Sequence, residues 1–86
     1  MARARDEMLV AAFAAVLRQT RTKAGLSQEE LAFRADVNRT FVGLLEGGKR
    51  QPTLSVIFAL ARELKLTPEA LVQRVRKLAA ERSEQA

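Results

Sequence analysis

The chain has 86 residues, 48% hydrophobic and 29% charged, with four glycines and two prolines. That is too apolar for a disordered tail and too short for two independent cores. The net charge is +5, and eleven of the 15 basic residues are arginine, which favours a polyanionic partner. Cys and His are both absent, which excludes disulfides, thiolate chemistry, and the commonest general base and transition-metal ligand.

Other classes fall away for similar reasons. No apolar run reaches the roughly 18–20 residues that span a bilayer. The charged start, Met1 to Glu7, and the Ala-rich stretch Leu9 to Leu17 lack the cleavage context of a signal peptide. A cytoplasmic protein with no membrane role, metal or cofactor is the expectation. Enzymatic chemistry is reduced to Asp, Glu, Lys and Ser, with no constellation among them. Turnover resting on Asp36, Glu29 or Lys23 is the weakest of the readings considered.

Helix-favouring residues dominate, and no alternating β-branched run occurs. The first helix is expected from about Asp6, its N-cap, to Lys23, ended by Gly25. Its apolar stripe is Leu9, Phe13, Val16 and Leu17. The second starts at Ser27, where Ser27-Gln28-Glu29-Glu30 has the form of a capping box, turns Leu31, Ala32 and Ala35 inward, and stops near Asp36. Asn38 caps the third, which ends at Gly47-Gly48. Thr53 caps the fourth, with Leu54, Ile57, Leu60, Ala61 and Leu64 as its stripe. The fifth has Thr67 as cap and Pro68 at its first position, carries Leu71, Val72, Val75 and Leu78, and is expected to fray from Glu81. The expected fold is all-α: one compact five-helix domain over residues 1–86, its last helix at about 68–82.

Two short helices around Asp36-Val37-Asn38 have the layout of a helix-turn-helix, at about residues 27–47. At about 100° per residue, Arg39, Thr40, Gly43 and Leu44 share one face of the third helix, and Phe41, Val42, Leu45 and Glu46 the other. The first face suits a DNA major groove. Arg39 forks onto guanine O6 and N7, Thr40 meets a base or phosphate, and Gly43 leaves room for close approach. Leu44 either touches a thymine methyl or covers the flank of the helix. Lys49 and Arg50, in the loop after the third helix, are placed for phosphate, and Gln28 sits at the amides of the second helix. For Arg34, phosphate contact and surface charge stay open.

These residues carry a resemblance. Gly25-Leu26-Ser27-Gln28-Glu29-Glu30-Leu31-Ala32, then Ala35, Val37, Phe41-Val42, Leu45-Glu46, Gly48 and Pro52, resemble the Cro/phage-repressor type of helix-turn-helix regulator. The similarity covers about residues 9–66. Asn38-Arg39-Thr40-Phe41 resembles the recognition-helix start of restriction–modification controller proteins. The resemblance implies a sequence-specific transcriptional regulator, a repressor-like homodimer on a palindromic operator in double-stranded DNA, with RNA polymerase as a further contact. It implies base contacts from Arg39, Thr40, Gly43 and Leu44, and phosphate contacts from Gln28, Asn38, Phe41, Lys49 and Arg50. It also implies an ion pair between Arg21 and Glu46. Departures are Asp36 where the family has Gly, Gly43 where Ser is common, and Leu44 where a polar residue is common.

A domain this small has little core to spare, so a second copy is a natural supplement. Phe58, Leu71, Val75 and Leu78, on the fourth and fifth helices, are the expected dimer interface. Phe33 and Val56 lie off the main stripes. The alternative is a protein-interaction module on the same fold, such as an antitoxin whose last helix binds a toxin.

Overall fold

A computed structural model describes residues 5–85. The expected domain limits at 1 and 86, and the charged reading of Met1 to Ala4, fall outside them. Five α-helices follow in order: α1 (Glu7–Lys23), α2 (Gln28–Ala35), α3 (Arg39–Glu46), α4 (Leu54–Glu63) and α5 (Pro68–Gln85). Among the described residues there is no strand, and no helix is long and apolar enough to cross a membrane.

The helix starts are local. Asp6 accepts from the Leu9 amide at 3.1 Å. Ser27 and Glu30 form the reciprocal capping box, each accepting a 3.0 Å hydrogen bond from the other's amide. Asn38, Thr53 and Thr67 accept from Thr40, Val56 and Ala70. Such caps each contribute about 1 kcal/mol.

The helix ends repeat one device four times. The amides of Leu26, Val37, Lys49 and Leu66 donate back across the last turn to Arg21, Ala32, Leu44 and Ala61. Each closure needs a left-handed residue just before the donor. Gly25 and Gly48 supply two of them; Asp36 (φ 57°) and Lys65 (φ 59°) supply the others.

The core lies where all five helices meet. Leu17, Leu31, Val42, Leu45, Leu60 and Leu71 are fully buried, one or more from every helix. Burying each such side chain contributes about 1.5–3 kcal/mol. Thr20 is polar and buried, its hydroxyl donating to the Val16 carbonyl at 2.8 Å.

Several expected positions move. Leu9 is half-exposed, and Val10 is buried instead. Leu54 stands out from the first turn of α4, 71% exposed. The last helix continues to Gln85 rather than fraying from Glu81. The largest correction concerns the expected dimer interface. Leu71 is fully buried and Val75 nearly so, because α5 lies along α1 and turns this stripe inward. Leu71 has no surface left for a second copy, and Val75 keeps only a small exposed edge, in the wall of an apolar groove. Leu78 is half-buried against the same core, and Phe58 alone of the four is exposed.

Candidate nucleic-acid interface

α3 has two chemically distinct faces. Val42 and Leu45 are fully buried, and Phe41 packs on the core from its edge. Arg39 and Thr40 are exposed at its N-terminal end, while Gly43 and Leu44 are half-buried. The outward surface is therefore cationic and polar at its start and small or apolar further on. Beyond Gly47, Lys49 and Arg50 are both exposed, so cations stand at both ends of the helix.

The rotation of α3 is fixed by its buried Val42 and Leu45 and by its last residue. The Glu46 carboxylate is buried, and Arg21 from α1 grips it with two prongs, Nε at 2.6 Å and Nη2 at 2.9 Å. The third prong of Arg21 donates to the Leu26 carbonyl at 2.8 Å. Gln28 Nε2 donates to Glu46 Oε1 at 3.0 Å, and Arg18 stands 3.7 Å from the same oxygen. Burial pushes the Glu46 carboxyl up, but the hydrogen bonds from Arg21 and Gln28, with the charges of Arg21 and Arg18, hold it below its ordinary value. Arg21 is raised, chiefly by its hydrogen bond to Glu46. Three of the five helices are thus tied at one carboxylate.

Three of the residues expected at phosphate are occupied within the chain. The Gln28 side chain turns inward to Glu46, across the flank of Gly43. The Asn38 side-chain Oδ1 accepts from the Thr40 amide at 2.7 Å. The ring of Phe41 is packed on the core, so its outward group is the backbone amide, one of the first-turn donors that lack an intrahelical acceptor. Lys49 and Arg50 carry no such engagement of their charged groups among the described residues.

Gly43 is not required by packing. A methyl group there would lie 3.7 Å from Gln28 Oε1, an ordinary contact. Glycine inside a helix costs about 1 kcal/mol relative to alanine, and nothing in the folded monomer returns it.

One residue near this surface gave no signal in the sequence. Arg5 donates to the carbonyls of Gly48 (3.1 Å) and Lys49 (3.3 Å), 43 and 44 positions away. Among the described residues no cluster of acidic side chains is arranged to hold a metal ion.

Comparison with known proteins bears on the family and the fold. The helix-turn-helix family matches residues 17–71. The chain is 36% identical over 61 residues to the control protein C.BamHI of Bacillus amyloliquefaciens, covering 70% of this chain and 75% of that protein. The structure of the restriction-modification controller protein C.AhdI from Aeromonas hydrophila superposes with a TM-score of 0.70 at 42% identity, over 72% of this chain and 94% of that one. The clp gene regulator ClgR of Corynebacterium glutamicum shares the fold, with a TM-score of 0.83 at 22% identity, over 90% of this chain and 82% of that one.

Proposed function

Because the chain belongs to the helix-turn-helix family of DNA-binding transcriptional regulators, we propose that α3 is its recognition helix, read out by Arg39 and Thr40. One observation carries this reading. The exposed Arg39–Thr40 face is held in a fixed rotation by Glu46, two turns further along α3, which Arg21 and Gln28 anchor. Base readout needs a side chain delivered in one orientation, and this linkage supplies it.

In this reading Arg39 forks onto a guanine edge, and Thr40 contacts a neighbouring base or phosphate. Gly43 and Leu44 approach the groove floor. Lys49, Arg50 and the Phe41 amide meet phosphate, with Asn38 and Gln28 beside them. Phosphate contacts set affinity and its salt dependence, and base contacts set the preference.

The protein acts as a homodimer of the controller type on a palindromic site. C.BamHI and C.AhdI, both similar to this chain, are described as controller proteins. The interface assigned here leaves out the fully buried Leu71. Leu54 and Phe58, one turn apart on α4, and Val72 on α5 are 71%, 53% and 49% exposed. An apolar groove of about 230 Å³, lined by Leu9, Pro52, Ile57 and Val72 among others, opens on the α1–α4–α5 side. Recognition helices of such a dimer would sit about 34 Å apart, on half-sites one helical turn apart.

Selection of bound duplexes from random DNA tests the proposal. Wild-type protein should recover palindromes, and Arg39→Ala should lose preference at one base pair per half-site, by about 1–3 kcal/mol. Recovery of no preferred sequence by the wild type would overturn sequence-specific binding, and an unchanged preference in Arg39→Ala would remove Arg39 from base readout.

A further inference from the structure

We propose that Arg5 is a positioning residue for the phosphate-facing loop after α3, acting through the backbone of Gly48 to Arg50. This rests on the reading that the loop meets DNA.

The loop closes α3 through the amides of Gly48 and Lys49, which donate to Leu45 (3.2 Å) and Leu44 (2.9 Å). Those bonds hold the first two peptide units but leave the Gly48 and Lys49 carbonyls without helical donors. Arg5 fills the gap. Its Nη2 donates to Gly48 O at 3.1 Å and its Nη1 to Lys49 O at 3.3 Å. Nε lies 2.8 Å from Glu7 Oε1, an ion pair not aligned as a hydrogen bond.

The consequence follows from peptide geometry. In a trans peptide the C=O and the following N–H point in opposite directions, and none of the described peptides is cis. Holding the Lys49 carbonyl towards Arg5 therefore turns the Arg50 amide away from it. That amide makes no hydrogen bond among the described residues. Two partially negative carbonyls are covered, one amide is presented, and the Lys49 and Arg50 side chains leave from a fixed backbone. An anion is favoured by all three. The guanidinium is committed to two carbonyls and a carboxylate, so its part is to fix the loop and not to touch phosphate.

Anisotropy of a labelled, unselected duplex of about 30 bp, titrated with salt, tests this in the full chain. Arg5→Ala should weaken binding about fivefold, the scale of one or two hydrogen bonds, with the salt slope unchanged. Arg5→Lys should fail to restore binding, because an ammonium keeps the charge but lacks the two-pronged fork. Lys49→Ala is the reference and should lower the slope by about one. Wild-type affinity in Arg5→Ala overturns the proposal. So does a lowered slope that Arg5→Lys repairs, since Arg5 would then itself contact phosphate. A Lys49→Ala protein with wild-type affinity and slope instead overturns the loop's contact with DNA. Thermal melting shows whether Arg5→Ala is folded. If it is not, Arg5→Lys decides: weaker binding at an unchanged slope supports the proposal, and wild-type binding overturns it.

Discussion

Arg21 and Glu46 are 25 residues apart in the chain and form a two-pronged ion pair, 2.6 and 2.9 Å, at the junction of α1 and α3. The Glu46 side chain is 1% exposed and the Arg21 side chain 11%. A charge so deeply buried is tolerated because Gln28 and Arg21 together satisfy its oxygens.

Removing one partner should therefore cost more than the pair itself contributes. Arg21→Ala leaves Glu46 buried with Gln28 and the solvent-exposed Arg18, and should destabilise the fold by about 2–4 kcal/mol in urea titration. Arg21→Lys should recover only part of this, since lysine cannot bond both oxygens and Leu26 together. A loss below about 0.5 kcal/mol for Arg21→Ala would place the pair among ordinary surface contacts.

The same site predicts a pH dependence. The Glu46 carboxyl is held below its ordinary value of 4.5 in the folded chain, so between the two values the unfolded state binds more protons. Its contribution is complete above about pH 4.5 and is lost as pH falls through the folded value. Glu30, lowered chiefly by the Ser27 amide, acts in the same direction. Melting temperature should be flat from about pH 7 to 5 and fall below about 4.5. Glu46→Gln should be less stable at neutral pH and show a shallower acid decline. An unchanged acid decline in that variant would assign it to other carboxylates.

Gly43 separates stability from function. Gly43→Ala should stabilise α3 by about 0.5–1 kcal/mol, because the added methyl meets only an ordinary contact with Gln28. If α3 reads DNA as proposed, affinity should fall, as the methyl occupies the face assigned to the bases. A variant both more stable and equally tight would show that this position stands clear of the groove.

Phe58 tests the partner surface. Being half-exposed in the monomer, Phe58→Asp should change chain stability by less than about 1 kcal/mol. Sedimentation at micromolar concentration should show wild-type dimer and variant monomer. A variant that stays dimeric would move the interface away from α4.

Much of this protein was legible in its sequence, because much of it is local. Caps act over three or four residues, so Asp6, Ser27, Asn38, Thr53 and Thr67 announced every helix start. Gly25 and Gly48 announced two of the helix ends. The inward face of α3 followed from helical spacing alone. The closure at Lys65 gave no such signal, since lysine is not a left-handed residue by preference and is held there by the Leu66–Ala61 bond.

What the tertiary structure decided is the set of choices between equivalent local options. Leu54, Phe58, Leu71, Val72 and Val75 are all apolar at helical spacing, and only the lie of α5 along α1 determines that Leu71 and Val75 are buried while the others face out. Gln28 is placed as well for a phosphate as for Glu46 until α2 and α3 are packed. Arg5 reaches the Gly48 and Lys49 carbonyls only once α1 has brought the chain's start beside the end of α3. Local hydrogen bonds set where each helix begins; burial and long-range pairing, which depend on how the helices pack, set which side chains remain for DNA and for a second copy.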